Sequence, residues 1–72
     1  MAVSSTSFDV WLRAIIADRN LSGATVARRL ALPPEMVYGW LRGLRQPDES
    51  VHADLSEVLG VTISELRRGL RS

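Results

Sequence analysis

The pair Pro33-Pro34 limits what the middle of this chain can fold into. The first proline disfavours helical geometry at Leu32, and the second fits the first position of a new helix. Apolar residues at helical spacing on either side predict one helix over residues 23–30 and another over residues 34–42. Only three residues join these two helices, so they must cross at a steep angle.

Composition excludes several classes of protein. The chain has 72 residues with nine Lys+Arg against eight Asp+Glu, a net charge of +1, and its hydrophobic share is 46%. This length fits one small domain with little room for a deep pocket, so we expect no enzyme activity. With no cysteine and a single histidine, His52, we expect no disulfide, metal or other cofactor. No apolar run is long enough to span a membrane, and no signal peptide is visible, so we expect a cytoplasmic, nucleoid-associated protein.

Three further helices are predicted around the central pair. Residues 1–6 are expected to form a flexible tail, and residues 7–72 a single domain. Ser7 is a plausible N-cap for a first helix over residues 8–19, which places five apolar residues on one face: Phe8, Trp11, Leu12, Ile15 and Ile16.

The fourth helix is expected to follow a cap at Asp48 and to end at Gly60. Thr62 and Glu65 form a capping box for a short fifth helix. Strand and hairpin signals are weak. The predicted fold class is therefore all-α, a compact bundle of five short helices, with His52 as an exposed helix residue.

The central pair has the pattern of a helix-turn-helix. Ser22 is a plausible cap for its first helix. Val37 and Trp40 are expected to anchor the second helix, and Trp11 is expected to join Trp40 in the core. The remaining positions of the second helix then face outward: Pro34, Glu35, Tyr38, Gly39 and Arg42.

The sequence LSGATVARRLALPPEMVYGWLRGLRQP (residues 21–47), together with LGVTISEL (residues 59–66), resembles the Cro/repressor family of helix-turn-helix proteins, also described as XRE-like or lambda-repressor-like. Three departures from the family pattern are visible. Ala31 replaces the usual glycine of the turn, which predicts modest backbone strain. Gly23 replaces a frequent glutamine that touches DNA. Ile16 and Leu41 replace a buried Arg–Glu pair, a paired change that predicts an apolar contact between them.

The resemblance implies that residues 34–42 enter the major groove of double-stranded DNA. The residues expected to contact DNA are Ser22, Gly23, Arg29, Pro34, Glu35, Met36, Tyr38, Gly39, Arg42 and Arg45. The base-facing positions contain no Arg, Gln or Asn that could bind a purine through two hydrogen bonds. We therefore expect sequence selectivity to rest partly on DNA shape and on backbone contacts.

Charge is distributed unevenly along the chain. Residues 19–46 contain five Arg and one Glu, a net charge of +4, whereas residues 47–66 contain five acidic residues and no basic one. A basic helix-turn-helix segment favours a surface that faces phosphate. Asp48 and Glu49, which directly follow the loop, would instead repel phosphate.

Two functions are compatible with these patterns. The first is a sequence-specific, repressor-like transcriptional regulator that binds DNA as a homodimer through its fourth and fifth helices. The second is a protein-interaction module that keeps the helix-turn-helix frame and presents an apolar patch of Met36, Tyr38 and Leu44 to a protein partner. A continuous positive stripe would favour the first, and an exposed apolar patch the second.

Overall fold

The computed structural model describes residues 8–71, which fold into five α-helices and one short 3₁₀ turn. The helices are α1 (Phe8–Asp18), α2 (Gly23–Leu30), α3 (Pro34–Leu41), α4 (His52–Leu59) and α5 (Ile63–Arg71), with the 3₁₀ turn at Glu49–Val51. No strand occurs in this part of the chain, so the prediction of an all-α bundle is confirmed. The predicted tail and the predicted cap at Ser7 lie outside the described residues.

One apolar core joins all five helices. Its buried members are Phe8, Leu12, Ile16, Val26, Ala27, Val37, Trp40, Leu55, Leu59 and Leu66. Full burial of a side chain such as Leu or Val stabilises the fold by about 1.5–3 kcal/mol. Leu41 is partly buried against this core, as is appropriate for an apolar residue that replaces a charged one. Direct contact between Leu41 and Ile16 stays a prediction.

Trp11 lies at the edge of the core and is only partly buried, which corrects the expectation that it is a core residue. Its ring stacks on Phe8, with 5.5 Å between ring centroids. On its other side it packs over Gly69 of α5, where an added Cβ would lie 2.8 Å from the indole Cδ2. The missing side chain of Gly69 therefore lets α1 and α5 approach each other closely.

Asp48 caps the 3₁₀ turn and not α4 itself, which corrects the predicted start of the fourth helix. Its carboxylate accepts hydrogen bonds from the backbone N–H of Ser50 (3.1 Å) and from the Ser50 hydroxyl (2.6 Å). The hydroxyl bond, followed by the backbone bond, holds the pKa of Asp48 below its usual value. His52 then begins α4, where it is partly buried and its Nε2 lies 3.3 Å from the Pro47 carbonyl oxygen. The expectation of an exposed histidine is therefore wrong.

The end of α4 and the start of α5 follow the sequence signals. Gly60 ends α4 with a left-handed backbone at φ 73°. The predicted capping box is present: Thr62 N–H donates to Glu65 Oε1 at 2.9 Å, and Glu65 N–H donates to Thr62 Oγ1 at 3.1 Å. None of the helices found within residues 8–71 is long and apolar enough to cross a bilayer.

Candidate nucleic-acid interface

The first helix of the central pair begins at a side-chain cap, as predicted. The Ser22 hydroxyl accepts a hydrogen bond from the Thr25 N–H at 3.1 Å, and the two hydroxyl oxygens lie 2.9 Å apart. This cap satisfies one of the N–H groups that a helix start leaves without a partner. Ser22 itself is exposed to solvent.

The turn between α2 and α3 has the backbone strain that its sequence predicts. Ala31 adopts a left-handed conformation at φ 59° and ψ 40°, a region that alanine enters at an energetic cost. Its N–H donates to the Arg28 carbonyl at 3.1 Å, and the Leu32 N–H donates to the Ala27 carbonyl at 2.9 Å. Leu32 packs partly buried against the core. These contacts fix the direction in which α3 leaves the turn.

Helix α3 is anchored on one side and open on the other. Val37 and Trp40 are buried, as predicted, and Pro34, Glu35, Tyr38 and Arg42 are exposed. The outer surface of α3 is thus accessible over its first turn and at its C-terminal end. Met36 is partly buried against the core and presents less of its surface than the sequence suggested.

Gly39 does not present an open backbone, which corrects the prediction that it faces outward. It is buried beneath the side chain of Arg45, whose Cγ, Cδ and Nε each lie 3.0 Å from the position of an added Cβ. The Gly39 carbonyl also accepts the N–H of Leu44 at 2.9 Å and the N–H of Arg45 at 3.4 Å. The loop after α3 therefore folds back over this glycine.

Gly23 is covered in a similar way, by Tyr38. An added Cβ on Gly23 would lie 2.8 Å from Tyr38 Cε1 and 3.0 Å from Leu41 Cδ1, so the tyrosine ring rests on the start of α2. Gly23 is consequently buried, and its predicted contact with DNA stays a prediction. Tyr38 keeps 40% of its surface exposed. It thus packs on a neighbouring helix and also reaches the outer face of α3.

Arg19 makes contacts within the protein, although the sequence analysis included it in the basic segment of residues 19–46. Its Nε donates to the Leu59 carbonyl at 3.0 Å and its Nη2 to the Gly60 carbonyl at 3.4 Å, while Nη1 lies 3.2 Å from Asp18 Oδ2. The guanidinium therefore satisfies carbonyl groups at the C-terminal end of α4. No local pattern indicates this role, because the partners are about 40 residues away.

Four arginines of the same segment remain available to a partner. Within residues 8–71, no hydrogen bond or ion pair engages the guanidinium groups of Arg28, Arg29, Arg42 and Arg45. All four side chains are exposed. They belong to α2, to the end of α3 and to the following loop, which are the elements around the open face of α3.

Residues that could perform other chemistry are sparse. No group of three His, Cys, Asp or Glu side chains suited to a metal ion occurs in residues 8–71. A surface hollow of about 230 Å³ lies between α1 and α5, where Trp11 and Ile15 face Glu65 and Arg68. It lies on different elements from Arg28, Arg29, Arg42 and Arg45.

Comparison with known proteins defines the class of protein. A family model described as helix-turn-helix matches residues 12–66, which include all of α2, α3 and α4. The fold and this match define a DNA-binding helix-turn-helix domain, a class that regulates genes and is not enzymatic. The chain belongs to the Cro/repressor (XRE-like) family. Searches of curated proteins and of solved structures found no match to this chain.

Proposed function

We propose that this protein is a repressor-like transcriptional regulator that inserts α3 into the major groove of double-stranded DNA. The observation that carries this proposal is a set of four exposed arginines without intramolecular partners, which lie on α2, at the end of α3 and in the following loop: Arg28, Arg29, Arg42 and Arg45. Exposed cations without partners are the groups that bind phosphate and release counterions. Pro34 and Glu35 are exposed at the start of α3, where they can approach base edges.

Salt dependence of DNA binding tests this proposal. The probe is a random-sequence duplex titrated at salt concentrations from about 50 to about 200 mM. The triple variant Arg28→Ala/Arg29→Ala/Arg42→Ala should reduce the slope of log affinity against log salt by about 2.7, since each lost phosphate contact removes about 0.9.

Arg13→Ala is the control. Arg13 is an exposed arginine on α1, outside the elements that carry the four arginines and outside the proposed dimer helices. Its removal should change the slope by much less than about 0.9, the value of one phosphate contact. Absence of binding by the unmodified protein at the lowest salt, or a slope change of about 0.9 in the control, would contradict the proposal.

A homodimer is part of the same proposal, because one domain of this size reads only a few base pairs. Two copies on half-sites about 34 Å apart would combine their contacts. We propose α4 and α5 as the dimer surface, built from partly buried apolar side chains such as Val58, Ile63 and Leu70. Sedimentation of the protein with and without a duplex of two half-sites tests this part. A single copy bound per duplex at saturation would contradict it.

A protein-interaction module is the second candidate, and the exposure of Leu44 is the observation that favours it. Leu44 has 75% of its surface exposed in the loop after α3, and Tyr38 has 40% of its surface exposed. Partial burial of Met36 makes the apolar patch smaller than the sequence predicted. Leu44→Ser separates the two functions, since it should leave the salt slope on the duplex unchanged and should weaken binding only to a protein partner.

A further inference from the structure

Helix α3 presents few side chains that could identify a base. Glu35, Gly39 and Arg42 share one face of the helix, since they are spaced by four and then three residues. Gly39 occupies the middle of this face and has no side chain. A reader of guanine at this position would need two hydrogen-bond donors in a fork, which arginine provides.

Arg45 occupies the space in which a side chain of residue 39 would stand. Its Cγ, Cδ and Nε all lie 3.0 Å from the ideal Cβ position of Gly39, closer than ordinary van der Waals contact. A side chain at position 39 would therefore force the arginine to shift by at least a few tenths of an ångström. The Arg45 side chain thus passes over α3 at Gly39, where the helix itself has no side chain.

The backbone of the loop holds Arg45 at this place. The N–H groups of Leu44 and Arg45 both donate to the Gly39 carbonyl, at 2.9 and 3.4 Å. The guanidinium has no hydrogen bond or ion pair with any described residue. The backbone of Arg45 is thus held in place, and its guanidinium is available to bind a nucleic acid.

We propose that Arg45 is the base-reading residue of this domain and that it reaches guanine in the major groove across the notch at Gly39. Its guanidinium would donate to O6 and N7 of the base. Arg42, at the end of the same face, would bind phosphate only. This inference rests on the proposed function, because it requires α3 to lie in the major groove.

The test begins with selection of bound sequences from a pool of random duplexes by the unmodified protein. The ratio of affinities for an enriched duplex and a scrambled duplex then measures base reading. Arg45→Ala should lower this ratio about tenfold and remove the preference for guanine at one position. Arg42→Ala, the matched control, should weaken binding to both duplexes equally and leave the ratio unchanged.

A double-mutant cycle tests the route across the notch. Gly39→Ala should shift Arg45 and lower the ratio, by no more than Arg45→Ala does, and Gly39→Ala/Arg45→Ala should lower it no further than Arg45→Ala alone. Helical circular dichroism of each variant verifies that the domain remains folded. Gly39→Arg in the Arg45→Ala background should restore the preference for guanine from α3 itself. A Gly39→Ala protein with an unchanged ratio would overturn the route across the notch.

The outcomes separate this inference from the proposed function. If both duplexes bind with a steep salt dependence and Arg45→Ala weakens them equally, Arg45 binds phosphate and the inference fails while DNA binding stands. The inference also fails, and DNA binding stands, if the enriched sequences contain no guanine whose selection depends on Arg45. If the unmodified protein binds no duplex at low salt, the proposed function fails and this inference fails with it.

Discussion

The turn after α2 and the turn after α4 have similar backbone shapes, but different interactions stabilise them. Ala31 ends α2 at φ 59° and ψ 40°, and Gly60 ends α4 at φ 73° and ψ 31°. After Gly60, the capping box of Thr62 and Glu65 satisfies the start of the next helix, and Arg19 binds the last carbonyls of the previous one. The second turn is thus held by polar groups of the protein itself.

The turn after α2 is held mainly by packing. Helix α3 begins after Pro33, which provides no side-chain hydrogen bond, and Pro34 has no N–H to satisfy. Leu32 packs against the core, as Val61 does in the other turn, but no side-chain hydrogen bond accompanies it here. In the first turn of α3, the Met36 N–H donates to the Pro33 carbonyl at 3.0 Å, whereas the Glu35 N–H has no partner among the described residues. The comparison indicates that the turn after α4 is stabilised by side-chain hydrogen bonds that the turn after α2 lacks.

Truncation of the leucines that precede the two turns should have the largest effect on stability. Leu59 is 1% exposed, whereas Leu30 is only partly buried at the equivalent position. Leu59→Ala should reduce the free energy of unfolding by about 2–5 kcal/mol, because it leaves a cavity in the core. Leu30→Ala should cost clearly less. Urea unfolding measures both, and equal losses would contradict the difference in packing between the two turns.

Exchange of the two left-handed residues should shift stability in opposite directions. Gly60→Ala meets no clash, since its nearest neighbour is Arg19 Nε at 3.7 Å, but it places alanine at φ 73° and should cost about 1–2 kcal/mol. Ala31→Gly relieves the same strain, but glycine also makes the unfolded chain more flexible, which offsets part of the gain. The free energy of unfolding should therefore rise by about 0.5–1 kcal/mol.

Ala24→Gly is the control for this exchange, because it makes the same substitution at an exposed position inside α2. It should destabilise by about 0.5–1 kcal/mol, since glycine is unfavourable in a helix. Thermal unfolding followed by circular dichroism compares the variants. A loss of stability in Ala31→Gly as large as that in Ala24→Gly would show that the turn is not strained.

Removal of Arg19 tests whether the second turn depends on a polar group from outside it. Arg19→Ala should cost about 0.5–1 kcal/mol, less than a buried charge-assisted hydrogen bond, because the side chain is 42% exposed. Arg13→Ala is the matched control, because Arg13 is an exposed arginine of α1 whose ion pair is with Asp9, on the same helix, at 3.4 Å. It should cost less than about 0.5 kcal/mol. Equal costs in urea unfolding would contradict the role of Arg19.

Local signals in the sequence predicted most of the fold and only part of the interface. Apolar spacing and caps such as Ser22 and the Thr62–Glu65 box act over three or four residues. The helices could therefore be placed to within one or two residues, except for the start of α4, which lies three residues after the position that the Asp48 cap predicts. The position of Arg45 over Gly39 depends on the path of a loop, which spacing does not define. The Arg19 contact joins residues 40 positions apart and left no local pattern.

Replacement of the capping carboxylate should give the smallest effect, visible mainly as a change in pH dependence. The N–H of Thr62 is the main cause that holds the pKa of Glu65 below its usual value. Because the folded protein favours the charged form, this contribution to stability is present above the unfolded pKa and is lost as pH falls through the folded one. Glu65→Gln keeps an acceptor for the cap but cannot titrate. Its stability should therefore fall less than that of the unmodified protein between about pH 5 and about pH 3. Glu57→Gln, which replaces an exposed carboxylate of α4, is the control and should leave the decline of stability with pH unchanged. Urea midpoints that decline equally in all three proteins would contradict the role of the cap.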